Sequence, residues 1–264
     1  MISNDDIAGK VVLDVGCNSG ALTLRLASLH RPKWMLGIDL DGHLIRDAAR
    51  HAQHEYSLVG GPDDEPGYFP DAMVAIHGST PLPDGWRKDG YLVSSLSEVP
   101  NLVDRARKHV RWECDAVGAV LPGTLRFAAA DVAKEDLSAL EGKFDTILAL
   151  SVTKWIHLHG RDNGIRDFFH TVYRLLVPGG TFIVEPQPFD SYLKSKLKKF
   201  NPPELQFRPD AFPAFLTSLG FDPLADTHPD PTTTARGFET RHVQRWRKRA
   251  TRSPPPAPAR QPRD

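Results

Sequence analysis

The chain has 264 residues, a length that suits one large domain or two small ones. Its 33 basic and 33 acidic residues cancel, so the molecule has no overall positive field that would attract nucleic acid. Two cysteines are too few for a disulfide framework and favour a reducing, intracellular compartment, the nucleus or the cytoplasm. No stretch approaches the roughly 20 apolar residues of a membrane span, so we expect no membrane contact.

The N-terminal part of the chain alternates apolar strands with amphipathic helices. A strand at Lys10–Val15 runs into the turn Gly16-Cys-Asn-Ser-Gly20, and a second strand occupies Trp34–Asp39. The helices after these strands have predicted inner faces at Leu22, Leu26 and Leu29, and at Leu44, Ile45, Ala48 and Ala52. Parallel strands joined through helices predict an α/β sheet that is covered by helices on both faces.

Residues 56–100 interrupt this pattern with a segment rich in Gly, Pro and Asp. Such a composition buries little apolar surface, so we predict a flexible, solvated insertion. A helix at 101–112 precedes the return of the sheet. We therefore predict one domain over residues 1–250 and a disordered tail, rich in Pro and Arg, at 251–264.

The second half of the chain completes a mostly parallel, seven-stranded sheet. Strands are predicted at Thr124–Asp131, Phe144–Ser151, Thr181–Glu185, 221–224 and 237–246, the last of them antiparallel. Asn163–Val177 has apolar residues at helical spacing and ends at the helix-breaking Pro178-Gly-Gly180. Another helix is predicted at Pro209–Leu219.

The turn after the first strand has the features of a nucleotide-binding loop. A strand-to-helix turn exposes backbone N–H groups, and Gly16 and Gly20 let a ligand approach the backbone closely. Asn18 stands where the dinucleotide fingerprint has its second glycine, and its side chain leaves less room for a pyrophosphate to approach the backbone. Asp39 closes the second strand, where an acid can accept both ribose hydroxyls, and Asp131 could meet an adenine amino group.

This constellation resembles motif I and its neighbours in the Rossmann-like class I methyltransferases, which use S-adenosylmethionine. The resemblance predicts cofactor contacts at Asp14, Gly16, Asn18, Gly20, Asp39, Leu40, Asp131 and Ser151. A nicotinamide-dependent enzyme is the main alternative, and a tight turn that binds no ligand is another.

Two polar and aromatic segments follow the fourth and fifth strands, beyond the carboxyl ends where a doubly wound sheet carries its chemistry. The first, Ser151-Val-Thr-Lys-Trp-Ile-His157, combines a stacking face with groups that bond to phosphate. The second, Glu185-Pro-Gln-Pro-Phe-Asp-Ser-Tyr192, is rigid and polar and would wall the same cleft. These residue types suit an anionic substrate that carries bases.

Both segments, together with Pro178-Gly-Gly180, resemble the methylphosphate capping enzymes, the bicoid-interacting type of RNA methyltransferase. Gly16–Gly20, Gly37–Ile45 and Arg236-Gly-Phe238 fit the same family. The resemblance implies transfer of a methyl group from S-adenosylmethionine to the 5′-terminal phosphate of an RNA. It implies Lys154 and His157 as catalytic phosphate contacts, and substrate contacts at Lys154, Trp155, His157, Glu185, Gln187, Phe189 and Tyr192.

Two other functions remain open at this point: a methyltransferase acting on a small molecule or a protein, and a catalytically silent RNA-binding remnant. The remnant is considered because family members usually carry an aromatic and basic element before the first strand, whereas Met1–Lys10 has none of that pattern. His159 also stands where the family commonly has Asn. The histidines and cysteines lack metal-ligand spacing, so we expect no metal, and we expect a monomer.

Several of these residues have a purely structural alternative. Trp155 could be a core residue, His157 a buried structural histidine, and Glu185 a cap for its own loop. The basic stretches at 194–199 and 241–252 either track an RNA backbone or form solvated faces, and the second could be a nuclear-import signal.

Overall fold

The structure, a computed structural model, describes residues 2–57, 91–93, 95–108, 124–193, 204–224 and 242–250. Its helices are α1 (Asn4–Ile7), α2 (Ala21–His30), α3 (Gly42–Ser57), α4 (Val99–Lys108), α5 (Thr153–Leu175) and α6 (Phe212–Leu219). Its strands are β1 (Val11–Val15), β2 (Trp34–Asp39), β3 (Leu125–Ala129), β4 (Phe144–Leu150), β5 (Leu176–Glu185), β6 (Phe221–Pro223) and β7 (Gln244–Lys248). Most of the predicted insertion, the basic stretch at 194–199, Arg236–Phe238 and the tail lie outside the described residues.

Within the described ranges, seven strands form one sheet in the order β3-β2-β1-β4-β5-β7-β6. Strand β7 is antiparallel to β5 and β6, and the other neighbouring strands are parallel. The predicted Rossmann-like, mostly parallel α/β fold is therefore confirmed. The strand order reverses between β1 and β4, and ligands of such sheets bind in the crevice beyond the carboxyl ends at that point.

The sheet is buried on both faces because its central strands are almost continuously apolar. Every residue of β1 is buried, and helices α2 and α3 pack against one face of the sheet. Helices α5 and α6 cover the other face through aromatic rings, with Phe169 centred 5.1 Å from Phe212 and 6.2 Å from Phe182. None of the helices in the described ranges is long and apolar enough to cross a membrane.

The buried face of α2 differs from the predicted one. Leu22 and Leu29 are 45% and 63% exposed, whereas Leu26 is buried. The orientation of α2 about its axis is set by Thr23, whose hydroxyl donates a hydrogen bond of 2.6 Å to the buried carboxylate of Asp14. This bond turns the Thr23 side of the helix toward β1. The helix positions three and four residues after Thr23 share its face and are buried with it.

Helix α5 and strand β5 also depart from the prediction. The helix begins well before Asn163 and is broken at Arg161, whose φ of 57° and ψ of −165° are not helical. Strand β5 follows the helix directly, so Pro178-Gly-Gly180 lies inside the strand and does not simply end the helix. The pairing with β4 shifts register between Phe144 and Thr146, and this irregularity accommodates the proline and glycines.

The last part of the predicted insertion packs against the sheet. Tyr91 is fully buried, and Leu92 forms a parallel bridge with Phe127 of β3. Val99 and Val103 of α4 lie in the same core as β1. The packed part of the chain therefore resumes at Tyr91, before the predicted end of the insertion at residue 100. The composition of the segment did not indicate this, because the apolar residues that pack here are isolated among polar neighbours.

Two basic residues of β7, Arg245 and Lys248, are engaged within the fold. The Arg245 guanidinium pairs with the buried carboxylate of Asp6, which precedes β1. The Lys248 ammonium donates hydrogen bonds of 2.7 Å to the backbone oxygens of Tyr173 and Leu176. These contacts favour a structural role for this part of the 241–252 stretch.

We expect Leu26→Ala to lower the free energy of unfolding by about 2–5 kcal/mol, because it leaves a cavity under α2. Leu29→Ala, on the exposed side of the same helix, is the matched control and should change it by no more than about 0.5 kcal/mol. Urea unfolding of both variants measures the difference. Equal losses would contradict the observed face of α2.

Candidate functional site

The turn after β1 is held against the end of β2 by backbone hydrogen bonds. The N–H groups of Gly16 and Cys17 both donate to the carbonyl oxygen of Ile38, at 2.8 and 3.0 Å. Gly16 and Gly20 have φ angles of 76° and 77°, the left-handed region that favours glycine. Asp14, buried behind the turn, binds Thr23 and so fixes the helix that follows.

The carboxylate of Asp39 connects this turn to the end of β2. One oxygen accepts the N–H of Asn18 and the other accepts the N–H of Asp41, each at 3.0 Å. A carboxylate oxygen has room for a second donor, and the Asp39 side chain is partly exposed, so both oxygens can still accept hydrogen bonds. The neighbouring Leu40 is 65% exposed.

Asp131 lies close to Asp39 along the same edge of the sheet. The Ala130 N–H donates a hydrogen bond of 2.9 Å to the carbonyl oxygen of Asp39, which ties the end of β3 to the end of β2. The Asp131 carboxylate accepts the N–H of Ala133 and pairs with the Lys134 ammonium at 3.0 Å. The predicted cofactor residues on the first three strands are thus brought together.

The loop after β4 touches the glycine turn directly. A Cβ atom added to Gly16 would lie 2.5 Å from a methyl carbon of Val152, closer than carbon atoms can approach. The preceding Ser151 has a φ of 57°, and its hydroxyl donates a hydrogen bond of 2.6 Å to the carboxylate of Glu185 at the end of β5. Together, the approach of Gly16 to Val152 and the bond between Ser151 and Glu185 join the carboxyl ends of β1, β4 and β5.

Gln187 fixes the start of α5, which carries Lys154. Its side-chain oxygen accepts the Thr153 hydroxyl at 3.1 Å and the Lys154 N–H at 3.2 Å. The Lys154 ammonium lies 5.4 Å from the centre of the Trp155 ring, which is 44% exposed. Lys154 is partly exposed and Trp155 is exposed, two and three residues after Val152, which contacts the glycine turn.

His157 lies fully inside the protein. Its Nε2 atom is 2.9 Å from a carboxylate oxygen of Asp162, and its ring packs 5.6 Å from Tyr192 and 5.9 Å from Phe212 between ring centres. Burial lowers the pKa of His157, and the hydrogen bond and charge of Asp162 offset this only in part. The imidazole therefore does not share the surface of Lys154.

Phe189 and Tyr192 form the wall beside α5. Their rings are 5.3 Å apart, and Tyr192 is fully buried, which raises the pKa of its phenol. The Arg208 guanidinium stacks over Phe189 at 4.6 Å. Sequence reasoning missed Arg208 and Asp162, because only folding brings Arg208 to Phe189 and because Asp162 falls between two predicted elements.

Among the described residues, no group of three or more His, Cys, Asp or Glu side chains is arranged to hold a metal ion. Cys17 is buried, and burial strongly raises the pKa of its thiol, which makes the thiolate form unfavourable.

The fold is that of the Rossmann-like methyltransferases. The chain is similar to the structure of an S-adenosylmethionine-dependent methyltransferase of Methanosarcina mazei, with a TM-score of 0.51 and 15% identity over 94% of this chain and 96% of that one. It is also similar to the N-methyltransferase NodS of Bradyrhizobium japonicum, with a TM-score of 0.51 and 14% identity over 94% and 90% of the two chains. At such identities the likeness is one of fold.

Residues 144–248 match the family model described as Bicoid-interacting protein 3 (Bin3). The chain is 32% identical to the human 7SK snRNA methylphosphate capping enzyme over 249 residues, and 30% identical to the U6 snRNA methylphosphate capping enzyme Amus of Drosophila melanogaster over 223 residues. These alignments cover 88% and 82% of this chain. They cover 34% and 56% of the relatives.

A probable RNA methyltransferase of Arabidopsis thaliana is 29% identical over 242 residues, which cover 88% of this chain and 68% of that protein. These similarities confirm the predicted resemblance to the methylphosphate capping enzymes. It spans only about a third of the length of the human relative.

We expect Gly16→Ala to destabilise the protein more than Gly142→Ala. Both glycines have a left-handed φ, 76° and 64°, which costs alanine about 1–2 kcal/mol. Only Gly16 also faces Val152, a clash worth a further ~1–3 kcal/mol, because a Cβ on Gly142 would meet nothing within 4 Å. Urea unfolding compares the two, and equal losses would mean that the glycine turn and the loop after β4 do not touch.

A second prediction concerns Asp14. Burial raises its pKa to about 6, while the Thr23 hydrogen bond lowers it in part and the charge of Asp39 raises it. Since the folded state binds this proton more tightly than the unfolded chain, the carboxylate costs stability as the pH rises from about 4 to about 6. The unfolding free energy of the wild type, minus that of Asp14→Asn, should fall by roughly 2–3 kcal/mol from pH 4 to 7. A difference independent of pH would contradict the raised pKa.

Proposed function

We propose that the chain transfers a methyl group from S-adenosylmethionine to the 5′-terminal phosphate of an RNA. The observation that carries this proposal is the contact between Gly16 and Val152, since it sets the glycine turn, which we propose binds the cofactor, directly beside the segment that carries Lys154. The names of the human and fly relatives, which are capping enzymes of small nuclear RNAs, support this substrate class. A nuclear location and action as a monomer without a metal ion are part of the proposal.

The residues around the turn fit the cofactor. The two oxygens of Asp39 keep accepting capacity for ribose hydroxyls while their bonds to Asn18 and Asp41 hold them in place. Asp131 and Leu40 border the same edge and would take the adenosine. Asp14 faces Thr23, and its proposed role is to fix the glycine turn from behind.

The acceptor side is formed by Lys154 and the aromatic residues near it. Bound S-adenosylmethionine supplies a methyl group on a positively charged sulfur. A terminal phosphate has a second pKa of about 6, so at neutral pH it offers a nucleophilic oxygen without a general base. The Lys154 ammonium would bind that phosphate, and Trp155 and Phe189 would stack with the first nucleotides. Holding the oxygen in line with the methyl group can lower the barrier by up to ~7–11 kcal/mol.

The other predicted substrate residues would act through their protein contacts. Gln187 holds the first turn of α5, and the Ser151–Glu185 hydrogen bond shapes the floor between the two ligands. His157 would support Lys154 from inside the protein, because its imidazole is fully buried. Arg208 stacks on the ring of Phe189, and it would provide a second cation, besides Lys154, for binding the RNA.

The test is methyl transfer from labelled S-adenosylmethionine to a 5′-phosphorylated RNA, with phosphatase-treated RNA as the negative control. We expect Lys154→Ala to reduce methylation about 10- to 100-fold, because the phosphate loses a charge-assisted hydrogen bond, while cofactor binding stays unchanged.

Asp39→Ala should weaken binding of S-adenosylhomocysteine by roughly 1–3 kcal/mol in calorimetry, since ribose hydroxyls lose a partner.

Arg25→Ala, which removes an exposed cation from α2, is the matched control and should alter neither measurement. Methylation of phosphatase-treated RNA at the same rate would contradict the phosphate as acceptor. Failure of the wild type to bind S-adenosylhomocysteine would instead indicate a silent RNA-binding remnant.

A further inference from the structure

One hydrogen-bonded pair, the buried His157 and the partly buried Asp162, ties together the segments around the acceptor side of the proposed site. One oxygen of the Asp162 carboxylate lies 2.9 Å from Nε2 of His157. The other accepts two backbone N–H groups, those of Gln206 at 2.9 Å and Phe207 at 3.1 Å. A single carboxylate therefore connects the first turns of α5 with the segment 204–208.

Each of these segments carries a proposed RNA contact. The first turn of α5 carries Lys154 and Trp155, and His157 belongs to the next turn of the same helix. The segment 204–208 ends in Arg208, which stacks on Phe189. The 3-10 turn Phe189–Ser191 leads to Tyr192, whose ring packs edge-on against the imidazole of His157. The elements that bear the proposed RNA contacts thus meet at the His157–Asp162 pair.

The break in α5 makes this connection necessary. Arg161 has non-helical backbone angles, so the helix hydrogen bonds do not continue rigidly from the turns with Lys154 into the part of α5 that packs on the sheet. His157 lies before the break and Asp162 lies directly after it. Their hydrogen bond spans the break and replaces the missing backbone continuity.

We propose that Asp162 is a positioning residue, which holds the Lys154 turn of α5 in register with the segment 204–208 so that the two sides of the RNA site keep a fixed separation. This inference rests on the proposed function. Asp162 acts through His157 and through the backbone of 204–208, and it does not touch the RNA.

The charge state of the pair fixes the direction of its hydrogen bond. Partial burial acts to raise the pKa of Asp162, but the bonds from His157, Gln206 and Phe207 outweigh it and keep the carboxyl ionised. Since burial lowers the pKa of His157, the imidazole is neutral at pH 7, and Nε2 must be the protonated nitrogen that donates. Its Nδ1 has no hydrogen-bond partner among the described residues.

Asp162→Asn tests this arrangement without changing the shape of the side chain. The asparagine oxygen must face the two backbone donors of Gln206 and Phe207, so its NH₂ group faces Nε2 of His157. We expect the imidazole to switch to the tautomer protonated at Nδ1. Nitrogen-15 NMR of labelled histidine measures this, with the His157 signals identified by their loss in His157→Gln.

The kinetic readout separates positioning from a general role in stability. We expect Asp162→Asn to lower kcat/KM for 5′-phosphorylated RNA by about 10- to 100-fold, mainly through a higher KM, while the affinity for S-adenosylhomocysteine stays within about twofold of the wild type. Asp167→Asn, an exposed acid on the same helix, is the matched control and should leave both quantities and the His157 signals unchanged.

Three results would overturn the positioning role. The first is a variant with a switched tautomer and unchanged kcat/KM for RNA, and the second is a variant that loses cofactor affinity along with RNA methylation. The third is a tautomer that stays protonated at Nε2. A wild-type protein that neither methylates nor binds the RNA would overturn the proposed function itself, and is recognised before any variant is made.

Discussion

The site depends on the contact between the glycine turn after β1 and the loop after β4. Val152 occupies the space that a side chain on residue 16 would need, so only hydrogen fits there. Because the strand order reverses between β1 and β4, this contact closes the base of the crevice where the two halves of the sheet separate. It sets the distance between the acid at the end of β2 and the lysine at the start of α5.

The strands and the edge that carries the site could be predicted from sequence because their signals are local. Trp34–Asp39 and Phe144–Leu150 are apolar runs that end in turns, and both are strands over those residues. The face of α2 could not be predicted, since it depends on the hydrogen bond of Thr23 to Asp14 across the turn. Periodicity alone placed the leucines of this helix inside, whereas a polar pair sets its rotation.

The residues of the proposed acceptor side could be predicted from sequence less completely than those of the proposed cofactor side. Motifs pointed to Lys154 and His157 alike, yet Lys154 is partly exposed, whereas His157, three residues later in α5, is fully buried. Arg208 and Asp162 join this region through contacts between residues far apart in sequence, at Phe189 and at the backbone of 206–207. No spacing rule within a helix or strand reports such contacts.

The most direct measurement of the central claim is a crystal structure of the chain with S-adenosylhomocysteine and a short RNA that ends in a 5′ phosphate. The account predicts both ligands in one crevice, with the ribose hydroxyls bound to Asp39 and the phosphate bound to the Lys154 ammonium. A phosphate bound on another face of the protein, or a nucleoside that avoids the glycine turn, would contradict it.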